Sequence, residues 1–219
     1  MEIVVGLGCL LASYILGSIP FGLVFVRLLT GKDLRQVESG RTGGTNAGRA
    51  AGLGAGIATA VLDFLKGAAA VWMARLVLPG SLWLEILAPV AAILGHNCSV
   101  FLIERNAEGK LRFRGGAGGA PTAGGAFALW PISILIILPV GAIILFGIGY
   151  ASLTTLSIAL ITIFVFAFRA LQGLSPWLYV VYGLIAEALL VIALVPNIRR
   201  LLNGTERIVG LRARHKEAR

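Results

Sequence analysis

The sequence predicts an all-α integral membrane protein that crosses the bilayer several times. Of its 219 residues, 58% are hydrophobic and only 13% are charged, whereas about a quarter of a soluble domain is charged. The mean hydropathy is +0.90. Charge-free stretches at 3–26, 86–103 and 115–168 approach or exceed the roughly 20 residues that an apolar helix needs to cross a bilayer. Lipid must therefore be the solvent for most of the protein surface.

The first half of the chain contains three predicted helices. The first, at about 3–29, ends in a basic turn at Arg27 and Lys32, and the polar turn 31–49 follows it. The second, at about 52–78, stops at Pro79 and Gly80, which form a tight turn. The third is predicted at about 82–103. It leads into a polar loop, 104–114, with its turn at Glu108 and Gly109.

The long uncharged run then divides at two breaks. Pro131 cannot continue a helix without a kink or stop, and the second break is the segment 147–152. The predicted helices are 117–130, 131–148 and 151–168, and a last one spans 176–195. The first of these four would rise only about 20 Å, so we expect a short or re-entrant element. The total is seven membrane helices in one domain, 1–219.

The positive charge predicts the orientation of the chain. The net charge is +9, and the 19 Lys and Arg residues cluster in short segments, with four in 31–50, four in 104–114 and seven in 198–219. Cytoplasmic loops carry this excess, so the N-terminus is predicted outside and the basic tail 198–219 inside. No basic domain lies outside the membrane to bind nucleic acid.

Cysteine and histidine usage argues against a metal site or another cofactor. Cys9 and Cys98 lie in apolar segments without framework spacing, so both are expected to be core residues. The chain has only two histidines and no carboxylate cluster, so metal catalysis is not expected. The N-terminus opens Met-Glu and is predicted to be retained as the first span.

The most informative stretch is the first glycine turn, 38–49. Its four glycines permit close backbone approach, and successive N–H groups at a helix N-terminus can bind an anion. Ser39, Thr45 and Asn46 add neutral donors, while Arg41 and Arg49 add charge, which suits a phosphate. A flexible polar loop with glycines used for helix packing remains the alternative.

The second glycine turn, 113–125, also leads directly into an apolar helix. Its free N–H groups would face the same interface as the first turn, beside Arg114. One glycine-rich turn is a weak signal, but two on one membrane face, both flanked by arginine, are stronger.

A few polar residues lie within apolar helices, where they are costly and usually partnered. His96 and Asn97 could make a packing hydrogen bond or belong to a site. Asp63 and Lys66, three residues apart, could form a structural ion pair or face the glycine turns. No Ser-His-Asp or Walker A pattern is present. Acid–base chemistry would have to come from His96 or from the substrate.

Several short motifs follow one another along the chain in a specific order. They are Tyr14–Gly22, Ser39–Arg49, Leu62–Gly67, Leu94–Leu102, Phe113–Gly118, Tyr150–Leu153 and Asn197–Glu206. In this order they resemble the bacterial PlsY-type acyl-phosphate:glycerol-3-phosphate acyltransferases, over nearly the whole chain. The resemblance implies a seven-helix enzyme of the bacterial cell membrane with its active site facing the cytoplasm. Its substrates would be acyl phosphate and glycerol 3-phosphate, and its products lysophosphatidic acid and phosphate, in the first step of phospholipid synthesis.

The resemblance also implies roles for individual residues. Ser39, with the backbone of Gly40, would bind phosphate and would not act as a nucleophile. The expected catalytic residues are Ser39, Arg49, His96 and Asn197. The expected phosphate-binding residues are Gly40, Arg41, Gly43, Thr45, Asn46, Arg114, Gly115, Gly116 and Gly118.

The chain departs from the family pattern at a few positions. Ala117 stands where the second turn usually has a lysine, and Arg41 stands where an asparagine is common. Arg114, Lys110 or Arg112 are candidates to replace the missing charge. The histidine usually found just before Asn197 is absent, and Ser99 replaces a usual proline.

Two other functions stay open. One is a diverged relative that binds another phosphorylated acceptor. The other is a small-anion transporter, since interrupted helices also build transporter sites. Against transport, polar residues cluster on one face, and only Asp63, Lys66 and Glu187 are plausible midplane charges.

Overall fold

A computed structural model describes residues 1–105 and 108–209 as a mostly helical protein. Its helices are α1 (Glu2–Ser18), α2 (Phe21–Thr30), α3 (Gly44–Ala51), α4 (Leu53–Val77), α5 (Leu82–Asn97), α6 (Gly119–Leu129), α7 (Ile134–Ile143), α8 (Ala151–Leu171) and α9 (Leu178–Leu202). Strands β1 (Ser99–Arg105) and β2 (Leu111–Arg114) form an antiparallel hairpin. Five segments are long and apolar enough to cross a bilayer, and α5 is a shorter apolar helix. The prediction of a multi-pass helical membrane protein is confirmed.

The first predicted helix is interrupted, so its expected continuity over 3–29 was wrong. Ile19 is extended, with φ −61° and ψ 116°, because the ring of Pro20 disfavours helical geometry in the preceding residue. The Ile19 carbonyl instead accepts a hydrogen bond from Nζ of Lys66 at 3.2 Å. The predicted polar turn that follows contains a short helix, α3.

The third helix ends at Asn97, six residues earlier than predicted at position 103. The remainder of that apolar run is β1, and it includes Val100, Phe101 and Ile103. Composition alone does not separate a short apolar strand from a helix end. The predicted turn at Glu108 and Gly109 is confirmed, with Gly109 at φ +75°.

The second half follows the predicted breaks with two differences. The segment 131–148 is a 3₁₀ turn, α7 and a π-helical turn at Ile144–Ile148, which ends at Gly149 with φ +86°. The last helix continues through Pro196 to Leu202 instead of ending near 195. The N–H of Val209 then donates to the Gly149 carbonyl at 2.7 Å, so 203–209 folds back onto the helices. The rest of the predicted basic tail, 210–219, lies outside the described residues.

Small residues bring the helices that carry the site close together. A Cβ at Gly67 on α4 would overlap the Pro121 carbonyl of α6, and one at Gly124 would overlap the Phe64 carbonyl. Helices in lipid associate largely through such close contacts between small residues. The α4–α6 pair therefore fixes the position of the second glycine turn, whose residues 119–125 form the first part of α6.

Candidate functional site

One cavity of about 780 Å³ has a polar end and an apolar end. Its polar lining includes Ser39, Arg41, Thr45, Asn46, Arg49, Asp63, His96, Ser152, Asn197, Arg200, Glu206 and Arg207. Its apolar lining comes from α4, α6, α7 and α8, and includes Ile57, Val61, Leu65, Phe127, Ile137, Leu138, Phe146 and Ile158. The cavity therefore connects a charged region to an apolar region.

Asn46 holds the first glycine turn in shape. Its Nδ2 donates to the carbonyls of Leu34 at 3.3 Å, Val37 at 3.0 Å and Arg41 at 2.9 Å. The side chain is buried, and its Oδ1 has no hydrogen-bond partner in the described chain. Because its donors are committed to the loop, this geometry favours a bracing role over donation to a phosphate.

The open side of the first turn presents donors to the cavity. Helix α3 starts at Gly44, and Gly43, Gly44 and Thr45 at its N-terminus line the wall. Arg49 is exposed and has no ion pair to any residue of the described ranges. The Ser39 Oγ accepts from the Arg41 N–H at 3.4 Å, which leaves its own hydrogen able to donate. These groups combine cation, hydroxyl and helix N-terminus, which is an anion-binding set.

The structure brings the two glycine turns together. The Gly116 N–H donates to the His96 carbonyl at 2.8 Å, and the Thr42 N–H donates to the Gly115 carbonyl at 3.3 Å. The Arg41 Nη1 donates to the Gly116 carbonyl at 2.9 Å. Direct main-chain and side-chain hydrogen bonds thus join the turns.

Arg41 also ties both turns to the last helix. Its Nη2 donates to the Ala193 carbonyl and to Oδ1 of Asn197, the latter at 3.1 Å. Burial lowers the pKa of the Arg41 guanidinium, but arginine remains charged in proteins. The three cations considered as replacements for the missing lysine, Arg114, Lys110 and Arg112, do not line the cavity, whereas Arg41 does.

Four of the predicted phosphate-binding residues, Gly40, Arg114, Gly115 and Gly116, are not in the cavity wall. The Arg114 Nε donates to Oε2 of Glu104 at 2.6 Å, and Glu104 also pairs with Arg35 at 2.7 Å. Arg114 is thus committed to an ion pair outside the cavity. Gly118, by contrast, lines the cavity in a left-handed conformation at φ +89°.

A buried chain of ionisable side chains lies behind the second turn. The Oδ1 of Asp63 is 2.8 Å from Nζ of Lys66 and 3.5 Å from Nδ1 of His96. These side chains are at most 5% exposed, and the ring of His96 packs directly against Gly116. Asp63 was missing from the predicted site residues, although a carboxylate in an apolar helix was a signal for it.

The end of α9 and the segment after it complete the polar end. Glu206 is 5% exposed. It accepts from Nδ2 of Asn197 at 2.9 Å, Nε of Arg200 at 3.0 Å and Oγ of Ser152 at 3.3 Å. Asn197 therefore links Arg41 through its oxygen and Glu206 through its nitrogen. The sequence interpretation gave Glu206, Arg200 and Ser152 no role.

The expectations of no metal and no cofactor stay predictions. Within 1–105 and 108–209, no group of three or more His, Cys, Asp or Glu side chains is arranged to hold a metal ion. The polar end instead offers donors and guanidinium groups, which suit an anion.

Known proteins share this architecture along almost the whole chain. Residues 7–204 match the family model for glycerol-3-phosphate acyltransferase. The chain is 35% identical to glycerol-3-phosphate acyltransferase 2 of Moorella thermoacetica, covering 93% of this chain and 97% of that protein. It is 37% identical to a glycerol-3-phosphate acyltransferase of Rubrobacter xylanophilus, covering 93% of this chain and 94% of the relative.

A solved structure agrees with the fold. It is the crystal structure of PlsY (YgiH), an integral membrane glycerol 3-phosphate acyltransferase, in its glycerol 3-phosphate form. The TM-score is 0.79 at 32% identity, with 94% of this chain and 96% of that chain covered. With the family match over most of its length, this chain belongs to the glycerol-3-phosphate acyltransferase family.

Proposed function

We propose that this protein transfers a fatty acyl group from acyl phosphate to the primary hydroxyl of sn-glycerol 3-phosphate. The products are lysophosphatidic acid and inorganic phosphate. The observation that carries the proposal is a continuous cavity of about 780 Å³, lined by cationic residues at the two glycine turns and by apolar residues between helices. A reactant with a phosphate at one end and a fatty chain at the other matches both ends.

The polar end holds the phosphates of the two substrates. Arg49, Ser39 and the N-terminus of α3 present uncommitted donors from the first turn. Arg41 brings a fixed charge to the second turn, beside Ala117. Asn197 positions the Arg41 guanidinium through its Oδ1. The His96 ring packs against Gly116 and so supports the second turn. These roles follow from hydrogen-bond partners and exposure.

The apolar end holds the acyl chain and opens sideways to lipid. Ile57, Val61 and Leu65 recur every four residues on α4, so they share one helix face. They line the cavity, yet each is at least 41% exposed. Leu138 on α7 and Phe146 in the π-helical turn after it form the corresponding exposed edge. An acyl donor dissolved in the bilayer enters between these two edges without passing through water.

The reaction needs no covalent enzyme intermediate. The substrate hydroxyl oxygen bonds to the carbonyl carbon of the mixed anhydride, and the bond from that carbon to the phosphate oxygen breaks. Phosphate leaves, and the hydroxyl proton ends on it. Charge gathers on the carbonyl oxygen and on the departing phosphate, where preorganised donors lower the barrier most. Ser39 and Arg49 act as such donors.

The proposed topology has seven membrane helices, with the broken α1–α2 counted as one and the short α6 as another. The N-terminus lies outside, and the site and C-terminus face the cytoplasm of a bacterial cell membrane. Supporting this orientation, the arginines at the polar end follow the bias of cytoplasmic loops. Cysteine labelling of intact cells tests it, with Glu2→Cys expected to react from outside and Gln36→Cys only after permeabilisation.

A defined assay tests the activity. Purified protein receives palmitoyl phosphate and labelled glycerol 3-phosphate, and lysophosphatidic acid is followed. We expect product with acyl phosphate and none with acyl-CoA or acyl carrier protein as donor. Absence of product from folded, detergent-stable protein would contradict the proposal and favour a diverged binder. The cavity gives transport no support, because the α7 residues that line it are all apolar or glycine.

A further inference from the structure

The β1–β2 hairpin has one face without a protein partner in the described chain. Cross-strand pairing places Ile103 opposite Phe113 and Arg105 opposite Leu111. Phe101 is exposed beside this pairing, in the segment where the register shifts between Ser99 and Ile103. We call the four side chains Phe101, Ile103, Leu111 and Phe113 the hairpin apolar face; their exposed fractions run from 40% to 60%. Four adjacent exposed apolar side chains on a two-stranded sheet call for an apolar neighbour.

The opposite face of the hairpin is already occupied. Leu102 is buried, and Glu104 is clamped by Arg35 at 2.7 Å and Arg114 at 2.6 Å. Arg35 lies just before the first glycine turn, and Arg114 opens the second. The hairpin is thus tied by one carboxylate to the segments that carry both turns. Within the described residues, the hairpin apolar face is the largest set of exposed apolar side chains on the hairpin.

The base of the hairpin lies where a bilayer core would end. Ser99 Oγ donates to the Ser18 carbonyl at 2.6 Å, at the last residue of α1. Helix α1 has 17 residues and so rises about 26 Å, close to the roughly 30 Å hydrocarbon core. One turn earlier, Ile15 on α1 and Leu94 on α5 are exposed apolar residues. The lipid-facing surface therefore continues onto the hairpin.

Charge favours an anionic lipid surface as the neighbour. Arg105, which pairs with Leu111 on the side of the hairpin apolar face, is exposed, while Glu104 is neutralised by its two arginines. Juxtamembrane cations are attracted to anionic headgroups, and apolar side chains beside them enter the headgroup–acyl boundary.

We propose that the hairpin apolar face inserts into the anionic headgroup region of the leaflet that borders the active site. The hairpin is then an interfacial anchor, and Glu104 transmits its position to both glycine turns. The proposal concerns a surface outside the cavity, so it does not depend on the identity of the substrates.

Spin labels on the full-length protein test the insertion. In a Cys9→Ala/Cys98→Ala background, Phe101→Cys and Phe113→Cys report the hairpin apolar face, and Arg112→Cys on the opposite face is the matched control. Each labelled protein is placed in phosphatidylglycerol nanodiscs. We expect the labels at 101 and 113 to collide several-fold more with oxygen than with a water-soluble nickel chelate, and the control label to show the reverse preference.

Two outcomes would overturn the proposal. Equal nickel accessibility at 101, 113 and 112 would place the face in water, open to a protein partner instead. Unchanged oxygen and nickel collision rates in zwitterionic phosphatidylcholine discs would exclude the anionic headgroup as the ligand. If either aromatic variant fails to fold, Ile103→Cys replaces it on the same face. Acyl transfer is measured in each variant, so a failed anchor and a failed enzyme assignment give separate results.

Discussion

The buried pair of Asp63 and Lys66 makes a quantitative prediction about stability. Both side chains are at most 2% exposed, with 2.8 Å between Oδ1 and Nζ. Asp63→Asn leaves the Lys66 ammonium without its counter-charge inside the helices. Breaking one side of such a pair costs about 3–5 kcal/mol. For a chain of this length, that lowers the apparent melting temperature by at least about 6 °C.

The double variant Asp63→Asn/Lys66→Met separates charge balance from positioning. Removing both charges of a buried pair is often nearly neutral, so the melting temperature should largely recover. His96, however, still lacks the carboxylate 3.5 Å from its Nδ1. Since misplacement of about 1 Å can cost 100-fold in rate, we expect kcat/KM to stay down by about tenfold or more.

The assays are thermal unfolding in detergent and initial rates of lysophosphatidic acid formation. Lys66→Met alone is the matched single variant, and it also removes the hydrogen bond to the Ile19 carbonyl. If Asp63→Asn melts like the wild type, the pair does not stabilise the fold. If the double variant also works at the wild-type rate, Asp63 does not position His96, and the buried chain has no part in catalysis.

The cavity makes further predictions. Ser39→Ala and Arg49→Ala should each lower kcat/KM at least about tenfold, or roughly 1.4 kcal/mol of transition-state stabilisation; normal rates in both would mean that the first turn does not hold phosphate. Ala117→Lys should be tolerated or raise activity, because it adds a cation to the cavity wall. An inactive but folded variant would show that the Arg41 side chain already occupies the space that the new lysine needs. Glu206→Gln should destabilise the protein by about 1.5–3 kcal/mol through loss of charged hydrogen bonds, seen as a lower melting temperature; an unchanged one would argue against this network. Val61→Trp should raise KM for palmitoyl phosphate but not for a short acyl phosphate, and equal effects on both would refute sideways entry.

Hydropathy was sufficient to predict a multi-pass helical membrane protein, but not the break in its first helix. Pro89, Pro139 and Pro196 all lie within continuous helices, whereas the helix stops at Pro20. At the break the Ile19 carbonyl accepts from the nearby Phe21 N–H at 3.1 Å and from Nζ of Lys66 at 3.2 Å. The second donor comes from 47 positions away, and no local pattern contains that information.

The candidate site was predictable where the chemistry is local. Glycines, hydroxyls and arginines in one short turn indicate an anion site because the groups adjoin each other in sequence. The network around Glu206 was not predictable, because Ser152 and Asn197 reach it from different helices. Arg114 shows what sequence neighbours leave out. Its position beside the second turn suggested phosphate binding, which stays a prediction, but its Nε pairs with Glu104, ten residues earlier, outside the cavity wall.

The proposed sideways opening between Val61 and Leu138 has a consequence for how the concentration of the acyl donor is expressed. If the acyl donor arrives by lateral diffusion, the concentration that sets the rate is its amount per area of membrane, not its amount per volume of buffer. In mixed micelles, added detergent should therefore slow turnover at constant total donor, by surface dilution alone. Rates measured at different detergent ratios are comparable only as functions of the donor's mole fraction.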